Sequence, residues 1–232
     1  MFSIIIPLFN EDKNIISLLD EIVLALKNYK DFEIVLIDDC SNDNTFKLIN
    51  SYNDYKRITI IQNNFNKGQS FSLHKGIRNA SFDTIITLDG DGQNNPFDIP
   101  KLLKIYNNQE TKCLVGGIRV KRKDNIVKIL SSKIANSIRS FILNDNCKDT
   151  GCSLKVFSKN EFDKLPYFNG IHRFLPALFK NLGCKLLFER VDHRKRKFGY
   201  SKYGTFDRLL RGIRDLFLVL RIINSLKKIK ND

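Results

Sequence analysis

The stretch Asp89-Gly90-Asp91-Gly92-Gln93 follows directly on the apolar run Thr84-Ile85-Ile86-Thr87-Leu88. The run predicts a buried strand, so two carboxylates two residues apart stand where that strand ends. The intervening glycines allow a sharp turn and a close approach of a ligand to the backbone. Oxygen ligands in such a place suit Mg²⁺ or Mn²⁺ bound to a diphosphate. A solvated Asp-Gly turn is the alternative, and the apolar strand before it favours the metal site.

Strand and helix signals alternate on the amino-terminal side of this stretch. Apolar runs predict strands, and apolar residues at helical spacing predict the helices between them. The alternation predicts an α/β fold with a mainly parallel sheet flanked by helices. Ligands of such sheets bind beyond the carboxyl ends of the strands. Four polar loops fall at those ends: Pro7–Glu11, Asp38–Ser41, Asn66–Gly68 and Asp89–Gln93.

The second half of the chain is less regular. A short strand over 112–115 is followed by Gly116-Gly117, which we interpret as a turn leading into a basic loop. Helices are predicted over 126–143 and 172–182, and strands over 151–157 and 184–191. We place a catalytic domain at residues 1–204 and a basic amphipathic helix or tail at 205–232.

Charge is concentrated near the carboxyl terminus. The net charge of the 232 residues is +14, and from Arg190 to Asp232 there are 13 Lys and Arg against 4 Asp, a net of +9. Such a segment suits an anionic membrane surface, nucleic acid or a phosphorylated substrate. Five scattered cysteines without a C-x-x-C pair argue against a disulfide framework or structural zinc, and favour a reducing cytoplasm. No apolar run approaches the roughly 20 residues of a membrane span, so no transmembrane helix is expected. The chain opens directly on the strand-like Phe2-Ser3-Ile4-Ile5-Ile6 without a basic segment before it, so no signal peptide is expected.

The last predicted helix has an apolar stripe with arginines interleaved. The stripe comprises Phe206, Leu209, Leu210, Ile213, Phe217 and Leu220. This spacing predicts an amphipathic basic helix. It can lie in the interface of an anionic membrane, or it can pack on the catalytic domain with its basic side in water.

Several segments in order resemble a family 2 glycosyltransferase of the GT-A fold. They are Ile4-Ile5-Ile6-Pro7-Leu8-Phe9-Asn10-Glu11, Ile37-Asp38-Asp39-Cys40-Ser41-Asn42-Asp43, Asn66-Lys67-Gly68-Gln69-Ser70 and Leu88-Asp89-Gly90-Asp91-Gly92-Gln93-Asn94-Asn95-Pro96. Within that family they resemble the polyprenyl-phosphate sugar transferases, typified by dolichol-phosphate mannose synthase. Asp149-Thr150-Gly151-Cys152 and Arg196-Lys197-Phe198-Gly199-Tyr200-Ser201-Lys202-Tyr203 resemble the same group.

The resemblance implies a role for most residues of the four loops. A nucleotide pocket would be lined by Pro7, Phe9 and Glu11, with Asp39 on the base or ribose and Gly68 leaving room beside the nucleotide. The donor loop would include Asp89 and Gly90. Many relatives have alanine at the position of Gly90, and glycine there is expected to loosen the turn slightly without removing a ligand. A divalent metal, Mg²⁺ or Mn²⁺, would be held on the donor diphosphate by Asp89, Asp91 and Gln93, with Asp91 also counted as catalytic.

The acceptor side follows from the chemistry of a lipid phosphate. A polyprenyl phosphate presents an anionic head group that needs cationic and hydrogen-bonding residues. The candidates are Arg119, Lys133, Arg196, Ser201 and Lys202, each of which could instead be a solvated surface residue. Asp149 is the nominee for a general base or an orienting residue. Because the second pKa of a phosphate is about 6, such an acceptor is ionised near neutral pH and needs no base.

We therefore expect a metal-dependent inverting transferase on the cytoplasmic face of the membrane, attached peripherally. Its donor would be GDP-mannose or a UDP-hexose, and its acceptor a dolichyl or undecaprenyl phosphate. One alternative keeps the donor but uses a glycan or lipid A-type hydroxyl acceptor, with Asp149 as base. A nucleic-acid-binding module is the more distant alternative, because the basic tail has no known reading motif. His172 is expected to be structural or to contact the acceptor, and the oligomeric state is left open.

Overall fold

The computed structural model describes residues 1–52, 57–120, 137–195 and 205–231, and in the last range the side chains of Gly212 and of residues 214–226. The described strands form one sheet in the order β3-β2-β1-β4-β6-β5-β7. Only β6 is antiparallel to its neighbours β4 and β5. The mainly parallel α/β sheet expected from the sequence is confirmed. The strands are β1 Phe2–Leu8, β2 Phe32–Asp38, β3 Ile58–Gln62, β4 Thr84–Thr87, β5 Cys113–Val120, β6 Lys155–Ser158 and β7 Lys185–Asp192.

Helices cover the sheet. They are α1 Ile15–Ala25, α2 Thr45–Ser51, α3 Gln69–Asn79, α4 Ile99–Asn107, α5 Lys159–Phe162, α6 Leu175–Asn181 and α7 Thr205–Asn231. Residues 137–143 are also helical, and Pro96–Asp98 and Ile171–Arg173 form single turns of 3₁₀-helix.

The core lies on both faces of the sheet. Successive side chains of a strand point to opposite faces, so Ile4 and Ile6 join a cluster with α1 and α4, whereas Ile5 joins a cluster with α3, α6 and α7. A strand that is buried on both faces is apolar throughout, which explains the continuous apolar run of β1.

The carboxyl edge of the sheet carries the polar loops. The turns after β1, β2, β3 and β4 all lie there because these four strands are parallel. Since β6 runs the other way and Lys155 pairs with Thr87, the first residue of β6 also lies at this edge. The fold thus adds a buried lysine to the predicted site.

The turn predicted at Gly116-Gly117 is wrong, because β5 continues through both glycines to Val120. The backbone of Gly117 packs closely: a Cβ there would come within 2.7 Å of the Cys152 sulfur and 2.8 Å of Val191. The predicted strand over 151–157 begins only at Lys155. Of the predicted helix over 126–143, only 137–143 lies among the described residues and is helical there.

Helix α7 packs against α6 and joins the core cluster on that face of the sheet. Val219 and Ile223 are buried in the cluster that also contains α6, and Asp215 pairs with Arg173 at 2.5 Å. Phe217, expected in the apolar stripe, is 63% exposed instead. Within the described residues, no helix combines the length and apolarity that a membrane span requires.

Candidate active site

Asp39 organises the loop that follows β3. Its carboxylate accepts hydrogen bonds from the backbone N–H groups of Lys67 (2.9 Å) and Gly68 (2.7 Å) and from the side-chain amide of Asn63 (2.8 Å). Gly68 has φ +86°, a left-handed conformation that favours glycine, and a Cβ there would contact nothing. Asp39 therefore shapes the predicted nucleotide pocket. Its predicted contact with the base or ribose would use remaining lone pairs.

The loops after β1 and β2 are hydrogen-bonded to each other. The Glu11 N–H donates to the Thr45 hydroxyl at 2.7 Å, and the Asn10 N–H donates to the Ser41 hydroxyl at 3.0 Å. Glu11 is buried and accepts from the Asn14 amide at 2.7 Å, whereas Pro7 and Phe9 are partly exposed beside it. The three predicted pocket residues Pro7, Phe9 and Glu11 thus stand next to the Asp39 loop.

Asp89 lies at the centre of the carboxyl edge. It accepts a hydrogen bond from the Gln69 amide at 2.7 Å, and its own N–H donates to the Ser153 hydroxyl at 3.2 Å. Burial and then the charge of Asp91 raise the pKa of Asp89 to about 6, although Ser153, Lys155 and Arg119 act in the opposite direction. A carboxylate whose proton affinity is raised by a neighbouring carboxylate suits a divalent cation.

In the structure, Gly90 allows the turn to pack closely on β1. A Cβ at this position would overlap the side chain of Leu8 and approach the Pro7 carbonyl to 3.3 Å. The glycine therefore lets the Asp89–Asp91 turn lie directly on the end of β1. Its expected place beside the donor remains a prediction.

Gln93 joins the turn to the segment after β7. Its side-chain amide donates to the Arg194 carbonyl at 3.3 Å, its N–H donates to Asp91 at 3.1 Å, and its own carbonyl accepts from the Arg194 N–H at 2.8 Å. Across the described part of the chain, no three His, Cys, Asp or Glu side chains are grouped to hold a metal. Mg²⁺ ordinarily takes one or two carboxylates and completes its shell with phosphates and water, so Asp89 and Asp91 fit it.

Arg119 and Asp149 form a bidentate ion pair. The guanidinium donates to both carboxylate oxygens, at 2.8 and 2.7 Å, and the Arg119 N–H adds a bond at 3.1 Å. The side chains are 14% and 7% exposed. Of the predicted acceptor residues, Arg119 is thus held beside the site, while Lys133, Arg196, Ser201 and Lys202 lie outside the described residues.

A second buried pair, Arg139 with Asp145, was not expected from the sequence. Arg139 donates to the two oxygens of Asp145 at 2.6 and 2.9 Å and to the Cys147 carbonyl at 3.2 Å. Asp145 and Asp149 therefore anchor the same loop at two points. Nothing in the local spacing marks these residues, because the pair depends on how the helix over 137–143 turns back into the loop.

A cavity of about 140 Å³ opens beside Asp89. Its chemistry comes from residues that the sequence did not assign to the donor: Gln69, Thr150, Ser153, Lys155, His172 and Arg173. The His172 Nδ1 lies 2.7 Å from the Ser70 hydroxyl, and burial followed by the charges of Arg173 and Lys155 lowers its pKa to about 3. His172 is therefore neutral near pH 7.

The fold and site together define a class of protein. A mainly parallel sheet with four polar loops and a pair of carboxylates at its carboxyl edge has the architecture of a GT-A transferase domain. Glucosyl-3-phosphoglycerate synthase from Mycobacterium tuberculosis, solved with Mn²⁺, UDP and phosphoglyceric acid, has the same fold at a TM-score of 0.70 and 18% identity, over 95% of this chain and 77% of that chain. The structure of that enzyme with Mg²⁺ and UDP gives a TM-score of 0.71.

The chain belongs to glycosyl transferase family 2, whose sequence model matches residues 3–165. It is 33% identical to the dodecaprenyl-phosphate galacturonate synthase of Rhizobium johnstonii, over 94% of this chain and 66% of the relative. It is 32% identical to the undecaprenyl-phosphate 4-deoxy-4-formamido-L-arabinose transferase of Yersinia pestis, over 94% of this chain and 67% of the relative. The chain spans about two thirds of the length of these relatives. The expected family is confirmed.

Proposed function

We propose that the chain transfers a sugar from a nucleotide-diphospho-sugar to a polyprenyl phosphate. Two relatives that share about a third of their aligned residues with it are named for sugar transfer to dodecaprenyl and undecaprenyl phosphate. The observation within the molecule that carries the proposal is the Arg119–Asp149 pair, which holds a buried cation close enough to Asp89 for its charge to oppose part of the rise in the pKa of Asp89. A cation in that position suits an anionic acceptor presented to the donor.

The donor would bind across the four loops of the carboxyl edge. Pro7, Phe9, Glu11 and the Asp39 loop would hold the nucleotide. Asp89 and Asp91 would hold Mg²⁺ or Mn²⁺ on the diphosphate, and Gln93 would complete the set through its side-chain carbonyl. When bound, the metal neutralises charge on the departing nucleoside diphosphate.

The acceptor would be oriented by Arg119. A phosphate oxygen attacks the anomeric carbon from the face opposite the diphosphate, so a new carbon–oxygen bond forms while the bond to the nucleotide breaks, with inversion. No proton has to move in this step, so the residues contribute by positioning the two reactants. Because the phosphate is already ionised, Asp149 acts here by holding Arg119 rather than by taking a proton.

The membrane surface enters through the lipid acceptor. Helix α7 follows the predicted acceptor loop and carries Arg214 and Arg221 as exposed residues. Basic residues on an amphipathic helix are attracted to anionic lipid head groups, by about 1 kcal/mol each near the surface. Peripheral attachment at the cytoplasmic face is therefore part of the proposal. Binding of the chain to vesicles with and without anionic lipid measures it.

The test is a transfer assay with undecaprenyl phosphate in detergent, MnCl₂ and a panel of labelled UDP- and GDP-sugars. Labelled lipid should form with one donor and should disappear with EDTA or in Asp91→Asn. Arg119→Met should raise the KM for the lipid phosphate more than the KM for the donor. Transfer to a glycan hydroxyl but not to the lipid phosphate, with complete loss of activity in Asp149→Asn, would overturn the proposal in favour of the hydroxyl acceptor.

A further inference from the structure

Lys155 is a buried cation at the start of β6. The residue is 4% exposed, and its ammonium donates to the Cys152 carbonyl. Among the residues that the structure describes, it makes no ion pair with a carboxylate. Buried charges are ordinarily paired, because removing an ion from water is expensive. Asp89 lines the same cavity, and its charge interacts with that of Lys155 without a direct ion pair, so the ammonium keeps N–H donors for an anion that enters the cavity.

Lys155 faces a cavity that also offers His172. The Ser70 hydroxyl oxygen accepts the Gly170 N–H at 2.8 Å, so its own proton is free to donate to the His172 Nδ1 at 2.7 Å. When the Ser70 hydroxyl donates to Nδ1, the neutral imidazole carries its proton on Nε2. The cavity thus combines an ammonium with a neutral N–H donor, which is the complement of an oxyanion.

The position of the cavity indicates which part of a substrate would enter it. Asp89 lines the cavity, whereas Pro7, Phe9, Glu11, Asp39 and Gly68 do not. Arg119 does not line it either. The cavity therefore lies beside the donor-binding carboxylate, between Gln69, the residue after Gly68, and Gly151, which lies beside the Arg119 guanidinium. A volume of about 140 Å³ holds the equivalent of about five waters, which suits a small group and not a nucleotide.

We infer that Lys155 binds an oxyanion of the donor in this cavity, either the phosphate nearest the sugar or a carboxylate carried by the sugar. The inference rests on the proposed function, because it takes the ligand to be a nucleotide-diphospho-sugar. It adds to that function a residue that decides which donors bind. A carboxylate source would make the substrate class a nucleotide hexuronate, and a phosphate source would make Lys155 a general diphosphate ligand.

The experiment compares donor affinities of the wild-type chain and Lys155→Met by calorimetry with Mn²⁺. The ligands are UDP, UDP-glucose and UDP-glucuronate, or the GDP series if guanine is the base that binds. Loss of the charge-assisted contact should weaken the relevant ligands about tenfold or more. An equal loss for all three ligands identifies the phosphate, and a loss confined to the hexuronate identifies the sugar carboxylate. Lys185→Met removes an exposed lysine at the opposite edge of the sheet and should change none of the affinities.

Lys155→Gln is the second variant, since it keeps a donor for the Cys152 carbonyl while losing the charge. Affinities within twofold of wild type for every ligand, in whichever variant is folded, would overturn the inference. If the wild type bound nucleotide-sugars but transferred no sugar to a polyprenyl phosphate, the proposed function would be refuted and the inference about Lys155 would still hold. If the wild type bound none of these nucleotides, both would fail.

Discussion

Asp149→Asn separates an orienting residue from a general base. The two roles predict different kinetic outcomes, and the orienting role also predicts a coupling between Asp149 and Arg119. If Asp149 holds Arg119, its removal leaves a guanidinium buried without a counter-charge. If Asp149 is instead a base, the amide that replaces it cannot accept a proton, so kcat should fall while the KM for the acceptor changes little.

The magnitude follows from the burial of the pair. With the two side chains 14% and 7% exposed, solvent screens them little. Removing one partner of a buried pair costs about 3–5 kcal/mol. The asparagine carbonyl still accepts one guanidinium N–H, which restores about 1 kcal/mol. We therefore expect Asp149→Asn to lower the free energy of unfolding by about 2–4 kcal/mol, a large part of the typical stability of a domain.

The assay is urea unfolding of the wild type, Asp149→Asn, Arg119→Met and the double variant. Residues in direct contact show coupling energies of about 0.5–3 kcal/mol, and a value near the upper end is expected here. Steady-state kinetics should show a raised KM for the acceptor in both single variants. The reasoning is refuted if Asp149→Asn unfolds within about 0.5 kcal/mol of wild type with no coupling to Arg119.

Three further predictions use other parts of the molecule. Because the pKa of Asp89 is raised from 3.8 to about 6, its ionisation destabilises the metal-free fold by up to about 3 kcal/mol as pH rises from about 4 to 6. Without divalent metal at pH 7, Asp89→Asn should therefore unfold at a higher temperature than wild type. The variant should also lose the rise in unfolding temperature that Mn²⁺ with nucleotide causes in wild type. Gly76→Ala in α3 would place a Cβ 2.6 Å from Ile5 and should cost about 1–3 kcal/mol in urea unfolding, whereas Gly212→Ala, whose Cβ would contact nothing, should be neutral or gain up to about 1 kcal/mol from helix propensity. Since the pKa of His172 is lowered to about 3, its ring resonances should not titrate between pH 8 and 5, and a midpoint near 6.5 would contradict the buried, neutral imidazole.

Much of the first half of the fold could be predicted from the sequence. Strands β1 to β4 are mostly apolar segments ended by polar loops, and parallel pairing then requires those loops to meet at one edge. The turn predicted at Gly116 and Gly117 is wrong because glycine occurs both in turns and in strands where a neighbouring side chain packs closely on the backbone. There they admit Cys152, Val191 and Phe188 against β5, and they do not turn the chain.

The sequence by itself determined the chemistry at the end of β4. Asp89 and Asp91 are two residues apart in the chain, so they lie close together without any tertiary contact. Only the tertiary structure decided what surrounds them. The pairing of Arg119 with Asp149 and the burial of Lys155 depend on side chains from β4, β5, β6 and the loop before β6 meeting at one edge. Such contacts arise from the order and direction of the strands in the sheet, which cannot be predicted from short stretches of sequence.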